Sequence, residues 1–189
     1  MTARPSRPIQ EAHAFLRPVL SQPGPLLDAT CGNGFDTVFL LRESSPSSIV
    51  YALDLQAAAL EATELRVFES LGRDALGRLQ LLPFDHADLP TRAIPVPSGL
   101  RASIVNLGYL PGGDKSIITR PESTVALLNA IFPILLPAGR LAVVVYPDHP
   151  GGREEANVVD QWFSRQGVPR PAKPIRGPYL WTLIKEVAE

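Results

Sequence analysis

An apolar triplet, Pro25-Leu26-Leu27, runs into Asp28-Ala29-Thr30-Cys31-Gly32-Asn33-Gly34-Phe35-Asp36 and then into the helix-like Thr37-Val38-Phe39-Leu40-Leu41. Strand, acid, small-residue turn and helix, in that order, is how an open α/β sheet begins a nucleotide site. Glycines at 32 and 34 let the main chain come close to a ligand with no side chain in the way.

A second apolar run, Ser48-Ile49-Val50-Tyr51-Ala52-Leu53, ends in another acid, Asp54. It falls about twenty residues beyond the glycine turn, where such sheets place a carboxylate on ribose hydroxyls. Asp54 also suits the N-cap of the segment that follows. The turn lacks the third glycine of a G-x-G-x-x-G fingerprint, and the chain holds no G-x-x-x-x-G-K-[ST] loop. A D-x-x-x-G-x-G turn with a carboxylate after strand two fits S-adenosylmethionine better than a dinucleotide or a triphosphate.

The remaining pattern alternates strand and helix. A helix over 9–20 precedes strand one at 25–29, and the helix after the turn runs to about Glu43. Strand two at 48–54 leads to a helix through Ala57, Leu60, Leu65, Phe68 and Leu71, spaced by three and four residues. Strands follow at 79–83 and 102–106, then a helix over 121–136 stopped by Pro137-Ala138-Gly139. Arg140 to Tyr146 is a continuous apolar run, typical of a central parallel strand. A last helix spans 153–166, and segments near 172–176 and 179–187 make a hairpin across Arg176-Gly177-Pro178. The class is α/β, a doubly wound sheet with a closing hairpin. At 189 residues the chain makes one domain, 1–189.

Composition removes several functions. No apolar run reaches the roughly 20 residues of a membrane span, and no signal-peptide core follows the basic N-terminus. A formal net charge of −1 gives no global basic field for nucleic acid, which leaves only a local patch for that purpose. The single cysteine, Cys31, rules out an internal disulfide and reads as a small residue filling the turn. A cytoplasmic location is the expectation, and no metal-ligand pattern is read.

In a doubly wound sheet, ligands lie beyond the carboxyl ends of the strands. That rule selects Asp28 to Asp36, Asp54-Leu55-Gln56, Phe84-Asp85-His86, Asn106 to Lys115 and Tyr146 to Gly152. Gln56 shares its side with Asp54 and reaches toward the adenosine. Asp85 and His86 follow strand three, where an adenine ring would lie; a plain surface histidine is the alternative. Asn106-Leu107-Gly108-Tyr109-Leu110-Pro111-Gly112-Gly113-Asp114-Lys115 describes a shaped loop facing the crevice. The Asn106 amide oxygen can accept from a substrate amine, and the Tyr109 ring can stack on a base. In Tyr146-Pro147-Asp148-His149-Pro150-Gly151-Gly152-Arg153-Glu154-Glu155 the acids suit a helix start. His149 can take a proton from an ammonium group.

Taken together these segments resemble one family, the bacterial group labelled "putative rRNA methylase", understood to hold tRNA 5-aminomethyl-(2-thio)uridine wobble methyltransferases. The resemblance rests on Asp-Ala-Thr-x-Gly-Asn-Gly-x-Asp-Thr at 28–37, Asp-x-Gln at 54–56, the 106–115 string, and Tyr-x-x-His-Pro-Gly-Gly-x-Glu-Glu from Tyr146. Cys31 and Phe35 occupy variable places, and Pro147-Asp148 departs from the pair found in many relatives. The resemblance implies a class I, Rossmann-like methyltransferase fold with a mostly parallel seven-stranded sheet, and S-adenosyl-L-methionine as cofactor. Carried across, cofactor contacts are Asn33, Asp36, Asp54, Gln56 and His86, beside Asp28, Gly32, Gly34 and Asp85. Asn106, Tyr109, Asp114 and His149 form the catalytic set, with Gly112, Gly113, Lys115 and Tyr146 toward the substrate.

The implied partner is tRNA, gripped near its anticodon, and a homodimer would enlarge the gripping surface. Other readings are methylation of rRNA or a small molecule, and a catalytically silent module that binds RNA or protein. A nicotinamide-dependent oxidoreductase comes last, because the glycine fingerprint is incomplete.

Overall fold

A computed structural model describes residues 5–89, 99–108, 119–172, 174 and 176–187. Helix α1 (Arg7–Leu20) leads to strand β1 (Leu26–Asp28), followed by α2 (Phe35–Glu43), β2 (Val50–Leu53), α3 (Ala57–Leu71) and a short α4 (Arg73–Leu76). Then come β3 (Leu79–Leu82), a 3₁₀ turn (His86–Asp88), β4 (Leu100–Asn106), α5 (Pro121–Ile134), β5 (Leu135–Val145), α6 (Gly152–Arg165) and β6 (Tyr179–Ile184).

The sheet runs β3-β2-β1-β4-β5-β6. The first five strands are parallel, and β6 is antiparallel to β5. β1 sits at the centre, with Leu26 opposite Val50 on one side and Ala102 on the other. Strand order reverses there, so the chain leaves β1 and β4 in opposite directions and opens a crevice beyond their carboxyl ends.

Successive strand residues point to opposite faces, so neighbours divide between two cores. Leu26, Val50, Ala52, Ile104, Ala142 and Val144 pack with Leu16 and Leu20 of α1, Leu40 and Leu41 of α2, and Leu60 and Val67 of α3. Leu27, Tyr51, Leu53, Val105 and Val143 pack with Leu127 and Ile131 of α5 and with Val159, Trp162 and Phe163 of α6. Covered on both faces, the central strands are buried throughout.

Two expectations change. Residues 135–139 are not a helix end and turn but the start of β5. Leu135 pairs with Leu100, Arg140 pairs with Ala102, and the segment between them bulges. Ala138 takes φ 60°, and a Cβ on Gly139 would lie 2.7 Å from the Leu136 carbonyl oxygen, so this glycine permits the bulge.

Among the described residues the sheet has six strands where the resemblance implies seven, and its closing antiparallel pair is β5 with β6. No described residue of 172–176 belongs to a strand. Buried Asp160 of α6 fixes this arrangement by accepting from Tyr179 Oη at 3.0 Å and Trp181 Nε1 at 2.9 Å. Asp148 accepts from the Gly177 N–H at 2.7 Å, which brings the turn before β6 to the crevice.

Candidate active site

The turn after β1 is built from its own small residues and bolted to β2 and α3. Asp28, fully buried, accepts from Thr37 Oγ1 at 2.6 Å and from the Thr30 N–H at 3.4 Å. Burial first, and the nearby Asp36 second, push its carboxyl up to about 8, so it is largely protonated at neutral pH. Gly32 and Gly34 adopt φ 51° and 77°, and a Cβ on Gly34 would lie 2.8 Å from Thr63 Cα. Asp54 takes the Gly32 N–H, and Thr63 Oγ1 donates to the Gly32 carbonyl at 3.1 Å. Arg66 donates to the Asn33 carbonyl and lays its guanidinium 3.7 Å from the Phe35 ring centroid. Cys31 is buried, and burial pushes its thiol above the ordinary range, which disfavours the thiolate.

Asn106 ends β4 directly beside this turn. Its backbone N–H donates to Thr30 Oγ1 at 2.7 Å, and its side-chain Nδ2 donates to Asp36 Oδ2. The other Asp36 oxygen accepts from His13 Nε2 at 2.5 Å. Asn106 Oδ1 is buried and has no hydrogen-bond partner among the described residues. An acceptor left unsatisfied in this way costs about 1–3 kcal/mol unless a ligand or water supplies the donor.

Gly108, just past β4, and Thr119 are tied to each other. Gly108 N–H donates to Thr119 Oγ1 at 2.8 Å, and the Thr119 N–H donates to the Gly108 carbonyl at 2.9 Å. Glu155 of α6, 1% exposed, accepts from Thr119 Oγ1 at 2.8 Å and from Thr124 Oγ1 at 2.6 Å. Burial raises its carboxyl above the usual range, opposed by those two hydroxyls and by His149. His149 Nε2 lies 3.9 Å from Glu155 Oε2, and its Nδ1 is 2.8 Å from the Pro150 carbonyl oxygen. A carbonyl only accepts, so Nδ1 carries the proton and Nε2 keeps the lone pair in the neutral ring.

Across the crevice, His86 Nε2 meets Ser123 Oγ at 3.0 Å, and burial lowers the ring's pKa against the opposing pull of Asp85 and Asp54. Asp85 caps the 3₁₀ turn through the Ala87 N–H at 2.9 Å. Burial raises the Tyr146 phenol, with Asp36 adding to the shift.

A crevice of about 1360 Å³ joins these elements. Gly32, Asn33, Asp36, Asp54, Gln56, Asp85, His86, Asn106, Tyr146 and His149 all line it. Asp28 and Gly34 do not; they shape the turn from behind. Tyr109, Gly112, Gly113, Asp114 and Lys115 lie outside the described residues. His13, Thr119 and Glu155 enter the site without having been singled out. His13 carries no motif, Thr119 lies beyond the glycine-rich string, and Glu155 reads as an ordinary first-turn acid until its burial is seen.

Residues 50–168 match the family described as "Putative rRNA methylase". The chain belongs to this family. The chain has the Rossmann-like methyltransferase fold. It is 38% identical over 158 residues to "tRNA (mnm(5)s(2)U34)-methyltransferase, chloroplastic" from Arabidopsis thaliana, a match covering 81% of this chain. The same match covers 57% of that plant protein, so the chain spans little more than half its length. A structure described as "putative rRNA-methylase" from Clostridium thermocellum superposes with a TM-score of 0.83 at 27% identity, covering 99% of this chain and 100% of that one. Another, described as "a putative methyltransferase" from Streptococcus mutans in complex with SAH, gives a TM-score of 0.77 at 32% identity, covering 96% of this chain and 99% of that one.

Proposed function

We propose that this family member transfers a methyl group from S-adenosyl-L-methionine to the amine of 5-aminomethyl-(2-thio)uridine at the tRNA wobble position, giving the methylaminomethyl form. The observation that carries the reading is Asn106 Oδ1, a buried acceptor without a partner among the described residues, on a residue that lines the crevice. It calls for a ligand that donates, as an amine does. The plant relative's name gives tRNA and the modified uridine mnm(5)s(2)U34, which supports this acceptor.

The residues present fit the cofactor. Each Asp54 oxygen accepts one backbone N–H and retains a further lone pair for a ribose hydroxyl. Gln56, Asn33, Asp85 and His86 stand along the same wall. When bound there, S-adenosylmethionine supplies an electrophilic methyl carbon on a positively charged sulfur. The enzyme's task is then to align a neutral amine lone pair, and orientation of this kind contributes up to about 7–11 kcal/mol. Asn106 Oδ1 accepts an N–H of the amine and fixes the lone pair toward the methyl group. An aminomethyl group is largely protonated at neutral pH, so a proton must leave first. His149 receives it at Nε2, directly or through water, with Nδ1–H held by the Pro150 carbonyl. Tyr109, Gly112, Gly113, Asp114 and Lys115 belong to the acceptor side in this reading, as does Tyr146.

The substrate partner is tRNA, held at its anticodon region, with a second copy of the chain as an additional gripping surface. No helix among the described residues is long and apolar enough to cross a membrane. The cytoplasm, a reducing compartment, suits a chain with one free thiol.

Methyl transfer from labelled S-adenosylmethionine to bulk tRNA of a strain lacking the wobble methylation step tests the proposal, with nucleosides resolved by mass spectrometry. Conversion of 5-aminomethyl-2-thiouridine to its methylaminomethyl form is expected. Label that goes to rRNA or a small molecule, with none in tRNA, moves the acceptor elsewhere. Absent cofactor binding by calorimetry points to a silent module.

A further inference from the structure

His13 reaches the crevice from α1, a segment that precedes the residues matched by the family model. Its ring lies flat on Phe39, with centroids 3.7 Å apart and planes 1° from parallel. From that seat Nε2–H donates to Asp36 Oδ1, while Asp36 Oδ2 accepts from Asn106 Nδ2. Both oxygens of one buried carboxylate are thereby engaged. A carboxylate only accepts, so the Asn106 group against it has to be the NH₂. Turning the amide over would set oxygen against oxygen. The amide oxygen is consequently the atom left over, buried and without a partner among the described residues, on a residue that lines the crevice.

We propose that His13 is a positioning residue for the transfer: through Asp36 it locks the Asn106 amide with its oxygen toward the acceptor, so that the site takes an N–H donor. The inference rests on the amine reading given above. With His13 removed, Asp36 Oδ1 loses its donor and the carboxylate turns more freely, which loosens its hold on the Asn106 NH₂. The arrangement also predicts which replacements serve. A glutamine amide nitrogen falls near the place of Nε2, and an asparagine amide nitrogen near that of Nδ1. His13→Gln thus keeps the donor to Asp36, whereas His13→Asn withdraws it at similar polarity.

Two readouts test this on the full chain. In nitrogen-15-labelled protein the Asn106 side-chain NH₂ signals are assigned by their loss in Asn106→Ala. Wild type and His13→Gln should protect that group from solvent exchange, and His13→Asn should exchange it about tenfold faster or more. In steady-state methyl transfer to tRNA carrying the aminomethyl wobble uridine, His13→Asn should lower kcat by about 10- to 100-fold. Its affinity for SAH should stay within about threefold of wild type, with His13→Gln restoring most of kcat. Equal exchange in wild type and His13→Asn overturns the proposal, as does a His13→Gln protein impaired as deeply as His13→Asn. If wild type methylates no such tRNA yet the exchange pattern holds, the lock is supported and the amine reading fails.

Discussion

Asp54 accepts the Gly32 N–H at 3.0 Å with one carboxylate oxygen and the Gln56 N–H at 2.9 Å with the other. The acid at the end of β2 therefore does two jobs at once. It closes the glycine turn onto the sheet, and it holds the bend that leads into α3, whose N-cap position is Gln56 and not Asp54 as the sequence suggested. Ribose binding is compatible with both of these bonds, because each oxygen has a second lone pair.

Replacing Asp54 with Ala should free the turn and remove the ribose acceptor together. The expected result is SAH binding weaker by about 10- to 100-fold, since hydrogen bonds to a charged group are involved. Asp54→Asn, which keeps one accepting oxygen, should lose less. Isothermal calorimetry decides the matter, and unchanged affinity in Asp54→Ala would remove Asp54 from the cofactor site.

Gly34→Ala should destabilise the fold and weaken SAH binding. Its φ of 77° and the 2.8 Å approach to Thr63 Cα act in the same direction. The left-handed conformation alone costs a non-glycine residue on the order of 1–3 kcal/mol, and the clash with backbone pushes α2 from α3. Gly167→Ala is the comparison, with φ 75° and open space around it. Urea unfolding should show a larger loss for Gly34→Ala; equal losses would mean that the contact with Thr63 is slack.

Asp28 sets a pH dependence whose sign is fixed. Its carboxyl ionises near 3.8 when exposed but is pushed up to about 8 in the fold, by burial and then by Asp36. Between those values the native state binds the extra proton, so this group's contribution is fully present below the lower value and is lost as pH rises through the upper one. Asp28→Asn keeps an oxygen for Thr37 and does not titrate. Its melting temperature relative to wild type should therefore climb between about pH 5 and about pH 8. Parallel curves in a thermal-shift series across that range would show that Asp28 is already ionised in the fold.

The strand ends were legible in the sequence because a parallel sheet puts every βα loop at one edge, and the polar residues cluster there. Asp54, Gln56, His86, Asn106 and His149 reach one crevice for that reason. His13 and Glu155 were not legible in the same way. Their partners, Asp36 and Thr119, lie 23 and 36 residues away. Only packing of α1 and α6 onto opposite faces brings them in. The same limit applies to β6. Residues 172–176 stood nearest in the chain, but Asp160 holds Tyr179 and Trp181 against the open edge of β5. Pro137-Ala138-Gly139 reads as a helix stop by composition alone, while the register between β4 and β5 makes it a bulge.

Asn106→Ala separates binding from chemistry. The side chain stands beyond the glycine turn, and its Oδ1 has no donor among the described residues, so the bound cofactor should barely register its loss. SAH affinity should remain within about threefold of wild type. Turnover should fall by about 10²- to 10³-fold, the scale for removing one preorganised hydrogen bond at a reacting group. Asp36 would then keep only the His13 partner on this side, and a modest drop in melting temperature should accompany the change. Single-turnover transfer at saturating S-adenosylmethionine gives the deciding number, because it excludes cofactor binding from the rate. Should the variant lose SAH affinity yet transfer at the wild-type rate under those conditions, Asn106 would belong to the cofactor and the acceptor amine would have to be held by other residues of the crevice.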